Sequence, residues 1–507
     1  MSHRLLVVVT LVALTTLIAF STPVHGQPDP GYWRLDDINA QLAQWATDYP
    51  DLVHLEVLGQ SGLGEDIPLV CISDQADLRE VEAGIFMHGA QHANECNGTT
   101  GVMTAMEKLL TGYGVDPAIT QRVDNLELWF APVINVDGHR FVFSGAPHWQ
   151  DWRKTMRDND ENGEVDFPDD GVDLNRNWDW NWAQCTEWHP SSQKYKGPYP
   201  FSEPEARALR DFVLRERPLL VCDLHSPVTI SYNSYIFYPW MSSEGAPDME
   251  VAQDVASQWA NATRSLNGQQ YHNIQCYDTL PKEQCWVYGE TGTITYLMEI
   301  EDECWFTGTD VDSIGHRVAR GAMELLDRTL DGPGITGTVT DALSGQPLMA
   351  EVIITEMNSS NVGPRLCDAA TGQYHRFTEP GSYTLRVSFR DYESQILTVN
   401  VADDWNKQDV MLQPLLTGVP EDGRFRLRVP NPARGGQAVQ LRLGDDESSA
   451  GVGLYDLRGR LVARLGEGLA PGMDHRLPLP SSLADGLYLV RVRSGDRTHT
   501  RRVTYLH

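Results

Sequence analysis

Positive charge is scarce in this chain of 507 residues: 40 Lys and Arg stand against 70 Asp and Glu, leaving a formal net charge of −30. No nucleic-acid partner is expected, because phosphate binding needs a basic surface. Long apolar runs are nearly absent. The one candidate, Leu5–Phe20 after Arg4, is short for a spanning helix and has no basic cluster behind it. It reads as an export signal that ends in the polar stretch Ser21–Gly26, with Val24 and Gly26 small enough for cleavage before Gln27. Residues 1–26 are therefore expected to be removed, leaving a secreted protein with no stable membrane span. Cysteine is sparse too. The eight are spread from Cys71 to Cys367 and form no Cys-x-x-Cys pair, which excludes a structural zinc site of that kind. Export permits disulfides, and Cys276 with Cys285 is the pair most easily bridged; connectivity is otherwise unreadable. Solenoid repeats and low-complexity tracts are also absent.

What is present divides into three parts. The length exceeds one core, and hydrophobic residues at 41% with charged residues at 22% are ordinary for folded domains. From 29 to 331, amphipathic stretches alternate with short continuous apolar runs, the pattern of an α/β domain whose mixed, largely parallel central sheet is flanked by helices. Strands are expected at Ile67–Ile72, Gly84–Met87, Leu126–Ile134, Pro218–Leu224 and Ile294–Ile300. Helices are expected at Asp36–Asp48, Glu203–Glu216, Met249–Leu266 and Asp312–Leu330, with Asp36, Ser202 and Asp312 placed to begin or cap them. Asp331-Gly332-Pro333-Gly334 breaks the pattern, and 334–414 reads as a β-sandwich. A second break at Pro414–Pro420 leads to another all-β sandwich over 420–507, which closes on a hairpin turning at Ser494-Gly495-Asp496. Charge shifts there as well: Thr417–His507 holds fourteen Arg, no Lys and ten acidic residues.

The chemistry should lie at the carboxyl ends of the strands. There the chain reads His88-Gly89-Ala90-Gln91-His92-Ala93-Asn94-Glu95, and a second strand ends in His225. In a helical turn the i, i+3 spacing of His92 and Glu95 brings both to one cation, and His225 from a neighbouring strand completes two imidazoles and a carboxylate. His-x-x-Glu alone is a weak signal, since strand-end histidines are commonly structural. A third strand ends in Glu299, while Trp152-Arg153-Lys154 and Asp173-Leu174-Asn175-Arg176-Asn177-Trp178 put guanidinium groups into an acidic chain. Each segment singly is also compatible with a solvated or paired arginine.

Taken in order, these motifs resemble the zinc metallocarboxypeptidases of the carboxypeptidase A type. The resemblance implies one zinc ion on His92, Glu95 and His225, and peptide or protein C-termini as substrates. It implies that Arg153 faces the scissile carbonyl, Asn175 and Arg176 hold the terminal carboxylate, Glu299 is the general base and Tyr277 is the active-site tyrosine. Trp286 and Tyr288 keep the same ungapped register between Tyr277 and Glu299. By that register Gln284 sets the preference for the released side chain, with Thr279 and Leu297 lining the pocket and Glu283 and Glu290 nearby. One departure is Pro227, where the family commonly has tyrosine two residues after the last histidine. Two rival readings share the scaffold: a metal-dependent amidase on cell-wall or other carboxylate-bearing substrates, and a non-catalytic binding protein, which would be expected to lose ligands this chain keeps.

Oxygen-bearing side chains at alternating positions, Asp158, Asp160, Asn162 and Asp166, with Gly163 at the turn and Asp169 beyond, imitate a calcium loop. A solvated acidic loop is the plainer reading. The 334–414 module resembles the transthyretin-like regulatory domain behind some carboxypeptidases, through Gly337-Thr338-Val339-Thr340-Asp341 and Gly381-Ser382-Tyr383. The last module resembles the C-terminal sorting domains of type IX secretion cargo, through Val429-Pro430-Asn431-Pro432, Leu454–Val462 and Gly486–Val490. That implies secretion machinery as a partner and release from, or attachment to, a bacterial cell surface. A generic adhesion or stalk module shares the same turns.

Overall fold

The computed structural model describes residues 28–506 except 228–233, 242–244, 278, 416, 419–424, 445–448, 457–458 and 496. The expected export signal and Pro420 lie outside these residues. Among the described residues no helix is long and apolar enough to cross a membrane.

The first region is an eight-stranded mixed sheet flanked by helices. Its strands are β1 (Val53–Gln60), β2 (Asp66–Ile72), β3 (Ala83–Gly89), β4 (Leu126–Ala131), β5 (Leu220–His225), β6 (Tyr235–Met241), β7 (His272–Tyr277) and β8 (Ile294–Glu299), in the spatial order β1-β2-β4-β3-β5-β8-β6-β7. The middle of the sheet, β4-β3-β5-β8, is parallel throughout. That is why β3 and β5 are apolar almost end to end: both faces are covered by helices. The edge strands β1 and β7 carry few fully apolar stretches, so they were not legible as strands; β6, inside the sheet, was not singled out either.

The helices are α1 (Leu35–Asp48), α2 (Cys96–Gly112), α3 (Pro117–Val123), α4 (Val136–Val142), α5 (Pro204–Glu216), α6 (Met249–Ala262), α7 (Glu283–Thr291) and α8 (Thr309–Asp331). The expected caps are not side-chain caps. Asp36 and Asp312 lie inside first turns, where a carboxylate faces the positive helix end, and Ser202 donates to Glu203 instead. Helix α2 crosses the carboxyl ends of β3 and β5 at very short range. A Cβ on Gly98 would collide with the carbonyl oxygen of Leu224, and one on Gly89 would come within 2.7 Å of the Gly98 backbone. These two glycines let the start of α2 rest against the end of β5, which carries His225.

Beyond α8, the strands β9 (Gly334–Asp341), β10 (Glu351–Ile354), β11 (Gln373–Phe377), β12 (Gly381–Ser388) and β13 (Gln395–Val401) build two small sheets, with Trp405–Lys407 and Val410–Leu412 paired to β9. Their buried residues, among them Ile335, Val352 and Leu385, belong to the same continuous core as the α/β region. Two four-stranded antiparallel sheets follow. One joins Thr417–Gly418, Phe425–Val429, Ala438–Leu443 and Asp474–Pro478; the other joins Leu461–Leu469, Ala450–Tyr455, Gly486–Ser494 and Arg497–Tyr505. They enclose a separate core of Leu427, Val439, Leu441, Val452, Val490 and Val503. Cys276 and Cys285 lie in one buried cluster with Ala246 and Tyr288.

Candidate metal centre and substrate cleft

His92 sits on the loop after β3, Glu95 is the residue that precedes α2, and His225 ends β5. The pair is thus held at a loop-to-helix junction rather than within a helical turn. All three side chains are buried. His92 Nδ1 lies 2.9 Å from Glu95 Oε1, His225 Nδ1 lies 2.7 Å from Glu95 Oε2, and the two Nδ1 atoms are 2.9 Å apart.

The opposite ring nitrogens explain this arrangement. His92 Nε2 faces Asp173 Oδ1 at 3.0 Å and His225 Nε2 faces Asp223 Oδ2 at 2.6 Å. A carboxylate that accepts from Nε2–H leaves Nδ1 as a lone pair. Two lone pairs and a carboxylate then converge in a site closed to water. Such a donor set suits a zinc ion held by two histidines and a glutamate, and it is poorly satisfied by anything but a cation.

Glu299 ends β8 directly beside His225 in the parallel register, and its Oε2 has no partner. Burial, reinforced by Glu95, pushes its pKa up. Arg153 donates Nη1 to Glu95 Oε1 at 2.9 Å and Nε to Asp173 Oδ2 at 3.2 Å, with its side chain 15% exposed at the edge of the site. Asp173 also accepts from the backbone of Asn175 at 2.9 Å, so one carboxylate positions His92, Arg153 and the Asn175-Arg176 turn together. Asn175 Oδ1 accepts from Glu283 N at 3.0 Å. Arg176 Nη1 donates to Asn175 O at 2.6 Å, and its buried Nε has no partner.

Of the residues expected around the specificity pocket, Gln284, Glu283 and Leu297 are buried. Gln284 is buried: its Nε2 leans toward Asp223 Oδ2 at 3.4 Å, and its Oε1 is sealed without a donor. Glu283 turns inward, with Oε1 2.9 Å from His88 Nε2 and Oε2 accepting from Gln91 Nε2 at 2.5 Å. Glu290 is exposed, Trp286 packs on Trp178 and Phe201, and Tyr288 accepts from Asp248 N at 3.4 Å, so these three belong to the scaffold. Leu297 is buried on β8 and Thr279 is exposed. Tyr277 ends β7; its side chain lies outside the described residues.

Asp223 and Asp173 were not singled out from the sequence as partners of the histidines. Asp223 carried a usable signal: residues i and i+2 on a strand share a face, and it stands two before His225. In the acidic loop, Asp158, Asp160 and Asp170 bring carboxylate oxygens together. Asp169 is displaced from that set, offering its backbone carbonyl to Asn159, while Asn162 Nδ2 donates to Asp160 and Asp166.

Comparison with known proteins follows from this geometry. The family profile described as zinc carboxypeptidase matches residues 38–310. The chain belongs to the zinc carboxypeptidase family. It is 29% identical over 283 residues to carboxypeptidase A4 of Mus musculus, covering 54% of this chain and 64% of that protein. It is also 26% identical over 302 residues to the inactive metallocarboxypeptidase ECM14 of Blastomyces gilchristii, covering 54% of this chain and 49% of that protein. The chain thus spans less than two thirds of the length of either relative. A crystal structure of carboxypeptidase A from Helicoverpa armigera shares the fold, with a TM-score of 0.50 at 22% identity over 59% of this chain and 73% of that one. For a zinc carboxypeptidase, the strand-rich region beyond α8 lies outside the family match.

Proposed function

We propose that this chain is an active, exported metallocarboxypeptidase that hydrolyses the C-terminal peptide bond of peptides or proteins. The observation that carries the reading is the buried convergence of His92, Glu95 and His225 with Glu299 beside it in register. Zinc on those three ligands supplies Lewis acidity, which makes water acidic enough to serve as a nucleophile near neutral pH.

The chain's own residues do the rest. Glu299, with a buried oxygen that has no partner among the described residues, accepts a proton from the attacking water and returns it to the departing amine. Arg153 stabilises negative charge that develops on the carbonyl oxygen, a donor role typically contributing about 3 kcal/mol to the barrier. In the absence of substrate its Nη1 rests on Glu95. Arg176, whose Nε has no partner among the described residues, offers its guanidinium to the terminal carboxylate, and Asn175 holds the start of α7 next to it. Asn175 uses its carbonyl on Glu283 N, which leaves its amide group for the substrate. Tyr277 is assigned to the bound peptide by resemblance.

In the same reading, 1–26 is the export signal, 29–331 the catalytic domain, 334–414 a transthyretin-like domain and 420–507 a sorting domain read by secretion machinery. The calcium reading of the acidic loop, made on Asp158, Asp160, Asn162, Asp166 and Asp169, is checked by a rise in melting temperature with calcium that Asp158→Asn removes.

The deciding assay is release of free amino acids from a panel of blocked dipeptides by the zinc-loaded protein, before and after chelation, with Glu299→Gln as control. Release lost in both controls supports the reading. A folded protein with one zinc that releases nothing from any panel member overturns it in favour of a specialised amidase or a binding protein.

A further inference from the structure

Arg176 and Lys282 lie within electrostatic reach of each other, and neither forms an ion pair among the described residues. Arg176 contacts a backbone carbonyl and makes no ion pair among the described residues. Lys282, the residue immediately before α7, is partly buried with its Nζ 6.0 Å from the centre of the Phe237 ring. Its ammonium makes no hydrogen bond or ion pair among the described residues either. The other cations of this region are answered: Arg153 meets Glu95 and Asp173, and Arg365 and Arg376 share Asp248. In a chain with a net charge of −30, two neighbouring cations without an ion pair among the described residues favour an anionic ligand.

Two contacts set Lys282 near the assigned substrate residues: its chain neighbour Glu283 N donates to Asn175 Oδ1 at 3.0 Å, and its Nζ faces Phe237 on β6, the strand paired with β8. Burial lowers its pKa, and Arg176 lowers it further while Cys285, Cys276 and Glu299 oppose that shift. Its neighbour Glu283 is tied to Asn175 through the backbone, so Lys282 is anchored next to the residues assigned to the terminal carboxylate. Gln284 is poorly placed to read a side chain, since its free oxygen is sealed and its nitrogen leans on Asp223.

The residue released in hydrolysis carries its α-carboxylate and its side chain on one carbon. With Arg176 on the first, a cation beside Arg176 is within reach of the second. We propose that Lys282 reads the released side chain and that the enzyme favours substrates ending in glutamate or aspartate. A neutral side chain leaves the ammonium unanswered, an apolar one also strips its water, and a basic one is repelled. This inference rests on the reading of Arg176 as the anchor of the terminal carboxylate.

The test uses the full zinc-loaded chain and matched blocked dipeptides ending in Glu, Asp, Gln, Leu and Lys. The expected result is a kcat/KM for Glu over Gln of at least about tenfold, carried mainly by KM, with the Glu-to-Leu ratio falling about tenfold or more in Lys282→Met. The ratio is indifferent to a misfolded fraction, which lowers both rates equally. A wild-type preference for Leu or Lys overturns the inference while leaving the exopeptidase reading intact. An equal loss on every substrate in Lys282→Met also overturns it, because the ammonium would then serve the α-carboxylate. Calorimetric binding of the same dipeptides to Glu299→Gln separates the remaining case. Tight binding of the Glu-ending member, lost with Lys282→Met added, sustains the inference even where wild type releases nothing; equal binding of Glu- and Leu-ending members defeats it.

Discussion

Arg365, carried by the strand-rich region behind α8, donates Nη2 to Asp248 Oδ2 at 2.7 Å, and Asp248 leads into α6 of the catalytic sheet region. Arg376 reaches the other oxygen of the same carboxylate at 3.1 Å. Nearby, Gly363 N donates to Gly289 O in α7 at 2.5 Å, and Val362 packs on the cluster of Cys276, Cys285 and Tyr288. The accessory region therefore braces α7, the helix that Lys282 precedes.

Removing Arg365 leaves a buried carboxylate with one partner. Breaking a buried pair by deleting one member typically costs about 3–5 kcal/mol, and Arg376 retains part of that here. Arg365→Ala is expected to lower unfolding free energy by about 2–3 kcal/mol in urea titration. It should also raise KM more than it lowers kcat, since α7 loses support. A change within about 0.5 kcal/mol would show that the contact is a solvated surface pair.

A second prediction concerns Gly98. Its missing Cβ makes room for the Leu224 carbonyl, a backbone group that cannot rotate away. Gly98→Ala should push the start of α2, and Glu95 with it, off the end of β5, at an overpacking cost of about 1–3 kcal/mol. The sensitive readout is zinc affinity measured against a competing chelator, which should fall along with stability. Gly101→Ala is the control: the obstacle there is the Val318 side chain, farther from the ligands. Equal zinc affinity in both variants would refute the positional argument.

How much of this was readable beforehand follows from where the constraints act. The parallel centre of the sheet was legible because strands covered on both faces must be apolar throughout, and the residues at their ends, His225 and Glu299, fell out of the same reading. The strands β1 and β7 were not, because edge strands mix exposed and buried positions and depend on neighbours for definition; β6 lies inside the sheet, but Pro239 within its run obscured its pattern. The ligand residues carried motif spacing, whereas the orientation of Gln284 and Glu283 did not. Both lie on α7, and which of them turns inward is decided by His88, Gln91 and Asp223 on other elements. Asp170 in place of Asp169 is a one-residue matter of loop path, which alternation along the sequence does not fix.

Two buried groups give opposite pH dependences. Burial pushes Glu205 up from 4.5 to about 7, although Gly62 N donates to it at 2.9 Å. Between those values the folded chain holds a proton that the unfolded chain has lost, so stability falls as pH rises through the window. Burial takes His139 from 6.5 down to about 4, with its Nε2 facing Trp33 O at 3.0 Å. There the unfolded chain holds the extra proton, so stability falls as pH drops through that range. Each contributes up to about 3 kcal/mol. The stability of Glu205→Gln relative to wild type should therefore improve between pH 5 and pH 8, seen in paired thermal melts. A pH-independent difference would place its carboxyl in a wetter site than the fold indicates.

Asp223 supplies the most direct test of how the metal centre is held. Its Oδ2 faces His225 Nε2 at 2.6 Å, while Oδ1 lies 3.4 Å from His88 Nδ1 with no hydrogen bond between them among the described residues, so the contact that fixes the His225 tautomer is the one through Oδ2. An amide at this position can present either a donor or an acceptor to the ring. When it donates, the imidazole is driven to carry its proton on Nδ1, the atom that faces Glu95 and His92. Asp223→Asn is thus expected to weaken zinc binding by about 10- to 100-fold, the usual range for losing the partner behind a ligating histidine. Asp173 is the poorer choice for the experiment, because it also holds Arg153 and the Asn175 backbone and its loss would disturb the substrate side as well. Chelator competition on Asp223→Asn isolates the metal term. Undiminished affinity would mean that Glu95 and the strand end alone set the ring.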